Sequence, residues 1–303
     1  MKDIPREQLS RRDLLKVMVG AALPTNLPNR VSAEPTQETI NYFPNSAYES
    51  HVVSPGKWSR YETEDYPPLN LDYVREIVTT VQTEVALSPN EKAKTIINNL
   101  AIVQQLDPEG QVEFGSNAIK LDKSGIYLSA ASSIRRSNGD ISAYVEIMDY
   151  FTNVNCPVRS FVLHPKSGLA IIYAPNGQEQ EVIPNIQLSS YKTGEKIWTY
   201  GIFLDFWDDN KLMIDKGIVG DPDETLRDRN PYAGNIPLLG THVPYWRDGS
   251  SAVSREGNIV GIVNAETSFR DPNYKRGGTM TGVAGLSHFL DNGEIINFPD
   301  SYT

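Results

Sequence analysis

From about residue 111 onward, apolar residues recur at every second position in short runs: "VEFGSNAIKLD", "GIYLSA", "YVEIMDYF", "RSFVLH", "LAIIYA", "KIWTYGIF", "LMIDKGIV", "SAVS" and "NIVGIVNA". Gly, Asn, Asp and Pro punctuate them. A period of two turns alternate side chains to one face, so each run reads as a strand with one side toward a core. Many short strands separated by turn residues predict antiparallel barrels or a sandwich. Only near the end, in "VAGLSHFLDNG", does helical spacing return, with Gly293 as its stop.

Upstream the period is helical. Asn70 is a good N-cap, and Val74, Ile77, Val78, Val81 and Val85 follow at helical spacing. Ser88-Pro89-Asn90-Glu91 has the form of a capping box with proline in the first turn. Ala93, Ile96, Ile97, Leu100 and Val103 then form a second apolar stripe, which Asp107-Pro108 closes. Residues 70–106 are therefore predicted as a helical hairpin. Residues 34–69 are polar, rich in Pro, Tyr, Glu and Ser, and read as a linker or surface arm.

Residues 1–33 have the layout of an export signal. Ser10-Arg11-Arg12-Asp13-Leu14-Leu15-Lys16 resembles the twin-arginine motif, a mild apolar run Val17 to Leu23 follows, and Val31-Ser32-Ala33 fits the small-residue cleavage rule. The run is too short to span a bilayer. The expectation is an extracytoplasmic protein, in the periplasm, at the cell surface or secreted, with no membrane span in the mature chain. The plainer alternative is a basic N-terminus without a signal.

The whole chain carries a net charge of −10, which disfavours phosphate backbones, so no nucleic-acid partner is expected. The leader holds six basic and three acidic residues, which leaves the mature chain at −13. One cysteine, Cys156, rules out an intramolecular disulfide. No Cys/His cluster has metal-ligand spacing, so neither a metal nor a cofactor is expected. The four histidines, His51, His164, His242 and His288, are scattered singly.

Four segments, in order, resemble the trypsin-like (chymotrypsin-fold) serine peptidases, bacterial secreted ones in particular. "GSNAIKLDKSGIYLSAASSI" (115–134) is similar to the strands leading to the catalytic histidine. "HPKSGLAIIYA" (164–174) is similar to the segment with the catalytic aspartate. "YKTGEKIWTYGIF" and "MIDKGIVGD" (191–221) resemble the opening of the second barrel. "RDGSSAVSREGNIVGIVNA" (247–265) resembles the nucleophile loop and the strand after it. The terminal "GGTMTGVAGLSHFLD" (277–291) is similar to the closing strand and helix. The resemblance spans about residues 110–291 and implies a mainly β fold. The implied fold is a double antiparallel β-barrel, with a first barrel expected over 107–190 and a second over 191–303 that ends in a C-terminal helix.

Carried over residue by residue, the resemblance puts Ser132 at the position of the histidine base, Gly168 at that of the aspartate and Gly249 at that of the nucleophile. It makes Arg247, Asp248 and Gly249 the oxyanion turn and Asn264, Ala265 and Glu266 the substrate-cleft strand. All three triad positions are substituted. A serine hydroxyl attacks only when a base takes its proton and a third group orients that base. The reading that follows is an exported pseudopeptidase that binds a peptide or protein in the cleft between the barrels. One alternative is an active endopeptidase whose nucleophile has moved to Ser250, with His242 or His164 as base. A structural exported β-barrel module is the other. The plainer reading of Ser250 is a small turn residue.

Overall fold

The computed structural model describes residues 69–82, 87–107, 110–134, 144–150, 154–163, 168–175, 186–203, 211–223, 235–241, 243, 247–264, 278–284, 286, 290 and 294–297. The expected leader and arm up to residue 68, all four histidines, Ala265 and Glu266 lie outside these residues.

Two helices open the described chain, α1 (Leu71–Gln82) and α2 (Pro89–Asn98). The α1 stripe buries Val74, Ile77, Val78 and Val81, and α2 buries Ile96 and Ile97. Each such side chain removed from water contributes about 1.5–3 kcal/mol. The capping box at Ser88 forms as the sequence predicts. The Ser88 hydroxyl accepts from the Glu91 N–H, and the Ser88 N–H donates to the Glu91 carboxylate at 2.8 Å. The Ser88 hydroxyl also donates to Glu91 Oε2 at 2.6 Å, and this bond, with that from the Ser88 N–H, holds the Glu91 carboxyl below its usual range.

The second helix is shorter than its apolar stripe suggests. It stops at Asn98, and Leu100–Leu106 is a strand, β1. Leu100 and Val103 were expected on the helix. Instead β1 pairs on both sides, with β2 (Val112–Lys120) and with β4 (Tyr144–Asp149). The run Leu100-Ala101-Ile102-Val103 is apolar at every position, so it fits a strand buried on both faces as well as a helix stripe. Tertiary pairing decides between them.

The remaining strands are β3 (Ile126–Ala130), β5 (Asn155–Pro157), β6 (Ser160–Leu163), β7 (Leu169–Tyr173), β8 (Lys196–Phe203) and β9 (Lys211–Val219). They continue with β10 (Ile236–Leu239), β11 (Ser251–Val253), β12 (Ile259–Asn264), β13 (Gly278–Gly282) and β14 (Glu294–Asn297). They form two antiparallel bodies. β8 to β13 make a closed six-stranded barrel in the order β10-β13-β12-β11-β8-β9. The others make an eight-stranded sheet, β14-β6-β7-β3-β2-β1-β4-β5. The mainly β, two-body architecture is the one expected. The division at residue 190 needs one amendment, because β14 returns from the C-terminal end to pair with β6 in the first sheet. Of the expected C-terminal helix, Leu286 and Leu290 are described and are helical and buried.

Each body has its own core. Val103, Tyr127, Ile147 and Phe161 are among the residues inside the first sheet, and Ile197, Val219, Val260 and Met280 are among those inside the barrel. A third and larger core joins them, with Ile102, Ile119 and Leu128 from the first sheet, Ile202, Val253 and Ile262 from the barrel, and the stripes of both helices. The hairpin thus packs against the junction of the two bodies. Lys92 fastens it: its buried ammonium donates to Gln187 Oε1 at 2.6 Å and to Asn258 Oδ1 at 2.8 Å. The Leu188 N–H also donates to the Val81 carbonyl at 2.8 Å. No helix among the described residues is long and apolar enough to cross a membrane.

Candidate functional site

The site lies at the junction of the two bodies, where the turn after β3 meets the loop before β11. β3 ends in a single tight helical turn, Ala131–Ser133, which faces Ser132 toward the barrel. Gly168, just before β7, accepts the Ala131 N–H through its carbonyl oxygen at 2.8 Å. The loop Arg247-Asp248-Gly249-Ser250 comes up from the barrel side. The three segments that the sequence points to therefore do meet.

The side chain that faces Ser132 is Asp248, one residue before Gly249. The Ser132 hydroxyl donates to Asp248 Oδ2 at 2.5 Å, and both residues are buried. Gly249 has a φ of +76°. A Cβ there would run into the Asn117 carbonyl oxygen and the Ser129 hydroxyl. Only glycine lets the loop approach β2 so closely.

Asn117 is the hub of this junction. Its N–H donates to the Asp248 carbonyl at 2.7 Å, its side-chain oxygen accepts from the Ile202 N–H at 2.5 Å, and its own carbonyl accepts the Ser129 hydroxyl at 2.6 Å. Ser129 and Ser133 hydroxyls share a further bond at 2.5 Å. The Gln105 amide donates to the Ser133 carbonyl at 2.8 Å and to that of Ser132 at 3.3 Å. Asn117, Ser129, Ser133 and Gln105 are all buried. Sequence reasoning did not single out these four. Only Ser129 carried a local signal, a hydroxyl between the apolar strand residues Leu128 and Ala130, since burying an amide or hydroxyl is tolerated only when it is bonded.

The expected oxyanion turn is bonded inward. The Gly249 N–H donates to the Val263 carbonyl at 2.9 Å, and the Ser250 N–H donates to the Arg247 carbonyl at 3.0 Å. Arg247 points into the barrel, where its guanidinium donates to Thr199 Oγ1 at 2.8 Å and pairs with Asp215 at 2.6 Å. Ser250 is fully buried, and its hydroxyl has no hydrogen-bond partner among the described residues. It fits because Gly201 opposite has no side chain; a Cβ there would overlap the Ser250 Oγ. The Asn264 amide donates to the Ile262 carbonyl at 3.0 Å and to Thr281 Oγ1 at 3.2 Å, within the barrel wall. Among the described residues no group of three or more His, Cys, Asp or Glu could hold a metal.

The Arg247–Asp215 pair yields a stability prediction. The Arg247 side chain is 2% exposed and that of Asp215 36%, so the partner is partly screened by water. Asp215→Asn is expected to cost about 1–2 kcal/mol, less than the loss from a fully buried pair, and Asp215→Glu is expected to recover part of it. Chemical denaturation of the three proteins measures this.

No protein-family model matches the chain, and no curated protein does. Among solved structures, the chain is similar to the apo form of the MamO protease domain from Magnetospirillum magneticum. The identity is 13% over 64% of this chain and 96% of that one, with a TM-score of 0.48. It is also similar to a catalytically inactive tobacco etch virus protease complexed with substrate, at 14% identity over 68% of this chain and 89% of that one, with a TM-score of 0.47. Neither likeness bears on the chemistry of this chain.

Proposed function

We propose that the chain is an exported peptidase-like protein that has given up peptide hydrolysis and acts by binding a polypeptide. One observation carries the reading. Where a base and a nucleophile would face each other across the two bodies, the Ser132 hydroxyl instead donates to the Asp248 carboxylate. An alcohol does not serve as a base near neutral pH, and its proton is already engaged by the Asp248 side-chain oxygen. Gly168 contributes a carbonyl oxygen and no carboxylate. The inward bonding of the Gly249 and Ser250 N–H groups also favours binding over catalysis, since an oxyanion hole needs donors aimed at the reacting oxygen. Export rests on the Arg11-Arg12 motif and the Val31-Ser32-Ala33 cleavage pattern.

Incubation of the purified protein with a fluorophosphonate and with a mixed peptide library is the test. No covalent adduct and no cleavage are expected. Labelling at Ser250, lost together with cleavage in Ser250→Ala, would establish a displaced nucleophile and overturn the reading. Export is tested separately with Arg11→Lys plus Arg12→Lys, which is expected to retain the chain, uncleaved, in the cytoplasm.

A further inference from the structure

The outer wall of the barrel formed by β8, β9 and β10 carries most of the exposed apolar surface among the described residues. Ile214 is 42% exposed, Ile218 41% and Leu239 50%. They are neighbours. Ile218 pairs directly with Leu239 across β9 and β10, and Ile214 lies on the same face of β9, two alternations away. On β8 the partners of Ile214, Lys216 and Ile218 are Tyr200, Trp198 and Lys196. Trp198 and Tyr200 are half-buried and form the floor. Contiguous apolar surface with an aromatic floor is the usual composition of a protein interaction site.

Among the described residues of β8, β9 and β10, the charges on the outward rows have one sign. Lys196 and Lys216 are exposed on the same outward rows as the apolar residues. Asp215 points to the other side of β9, where it pairs with Arg247. Glu195 turns back to accept the Lys192 N–H at 3.1 Å. On a chain of net charge −10, this is a cationic and apolar island. The same face of a second copy is a poor match, because it would set four ammonium groups against one another.

We propose that this wall docks a partner polypeptide segment in which carboxylates alternate with apolar side chains. The apolar groups cover Ile214, Ile218 and Leu239, and the carboxylates pair with Lys196 and Lys216. The inference rests on the reading of the chain as a binder and names the surface and the chemistry of its partner. The two can fail separately, since the fluorophosphonate reports on the cleft and the following titration on the barrel wall.

A fluorescein-labelled twelve-residue peptide alternating Glu with Val and Phe is titrated against the full chain and followed by anisotropy. The same peptide with Lys for Glu is the control. The acidic peptide is expected to bind and the basic one not. Lys196→Glu plus Lys216→Glu is expected to weaken binding about tenfold, and Lys196→Arg plus Lys216→Arg to preserve it. Ile218→Ser plus Leu239→Ser is expected to weaken it to a similar degree with an unchanged melting temperature. Equal binding of the two peptides, no binding of the acidic one at millimolar concentration, or indifference to the substitutions overturns the proposal. So does a dimer in sedimentation that Ile218→Ser plus Leu239→Ser dissociates, because a second copy then covers the wall.

Discussion

Gly249→Ser is expected to destabilise the protein by about 3 kcal/mol or more, with a fall of about 5–10 °C in melting temperature. Two costs add. The residue holds φ at +76°, where a side chain clashes with its own backbone. Its Cβ would also occupy space held by the Asn117 carbonyl and the Ser129 hydroxyl, both on the first sheet. Gly194 separates the costs: its φ is +79°, yet nothing lies within 4 Å of its would-be Cβ. Gly194→Ser is therefore expected to cost only about 1 kcal/mol, the backbone share. If the two serine variants melt together, Gly249 is not clamped between the bodies. The consequence for chemistry is direct. Replacing Ser132, Gly168 and Gly249 with His, Asp and Ser, the substitution that the sequence resemblance suggests for rebuilding a triad, pushes the loop away from β2 rather than presenting a hydroxyl. The side chain already opposite Ser132 belongs to Asp248.

Acidification from pH 8 to pH 5 is expected to stabilise the protein through Glu146. This carboxyl lies on β4, buried between its register partners Gln104 and Pro157, and burial raises its pKa to about 7. The Asn155 amide, donating to Glu146 Oε2 at 3.1 Å, opposes the rise only in part. In the unfolded chain the group ionises near 4.5, so between about 4.5 and 7 the folded state holds the extra proton. Its stabilising contribution is then fully present below the unfolded pKa and is lost as pH rises through 7. The span of the shift corresponds to about 3 kcal/mol. Glu146→Gln, which keeps the shape without the charge, is expected to raise stability by about 2–3 kcal/mol at pH 8 and to change it little at pH 4.5. Urea unfolding of both proteins across that range measures the difference. Parallel pH profiles would place the ionised carboxylate in contact with water.

The expected strands and both helix starts were legible because they rest on local chemistry. Alternation marks a strand with one buried face, and Ser88 with Glu91 closes a capping box whatever surrounds it. The meeting of the segments around Ser132, Gly168 and residues 247–250 was legible as well, through resemblance and order along the chain. Leu100–Leu106 was not, since an uninterrupted apolar run satisfies either period and only the flanking β2 and β4 supply its hydrogen bonds. The return of β14 to the first sheet had no local sign either. By itself, then, the sequence determined a mainly β chain with a helical hairpin, and it lacks a histidine at 132, an aspartate at 168 and a serine at 249, the positions where the resemblance expects a triad. Tertiary structure alone decided that Asp248 rather than Gly249 faces Ser132, and that Ser250 is sealed against Gly201. Register at a loop is set by which residue can tolerate a positive φ and the close approach of a strand from the other body, and that neighbour, Asn117, lies 132 positions earlier in the chain.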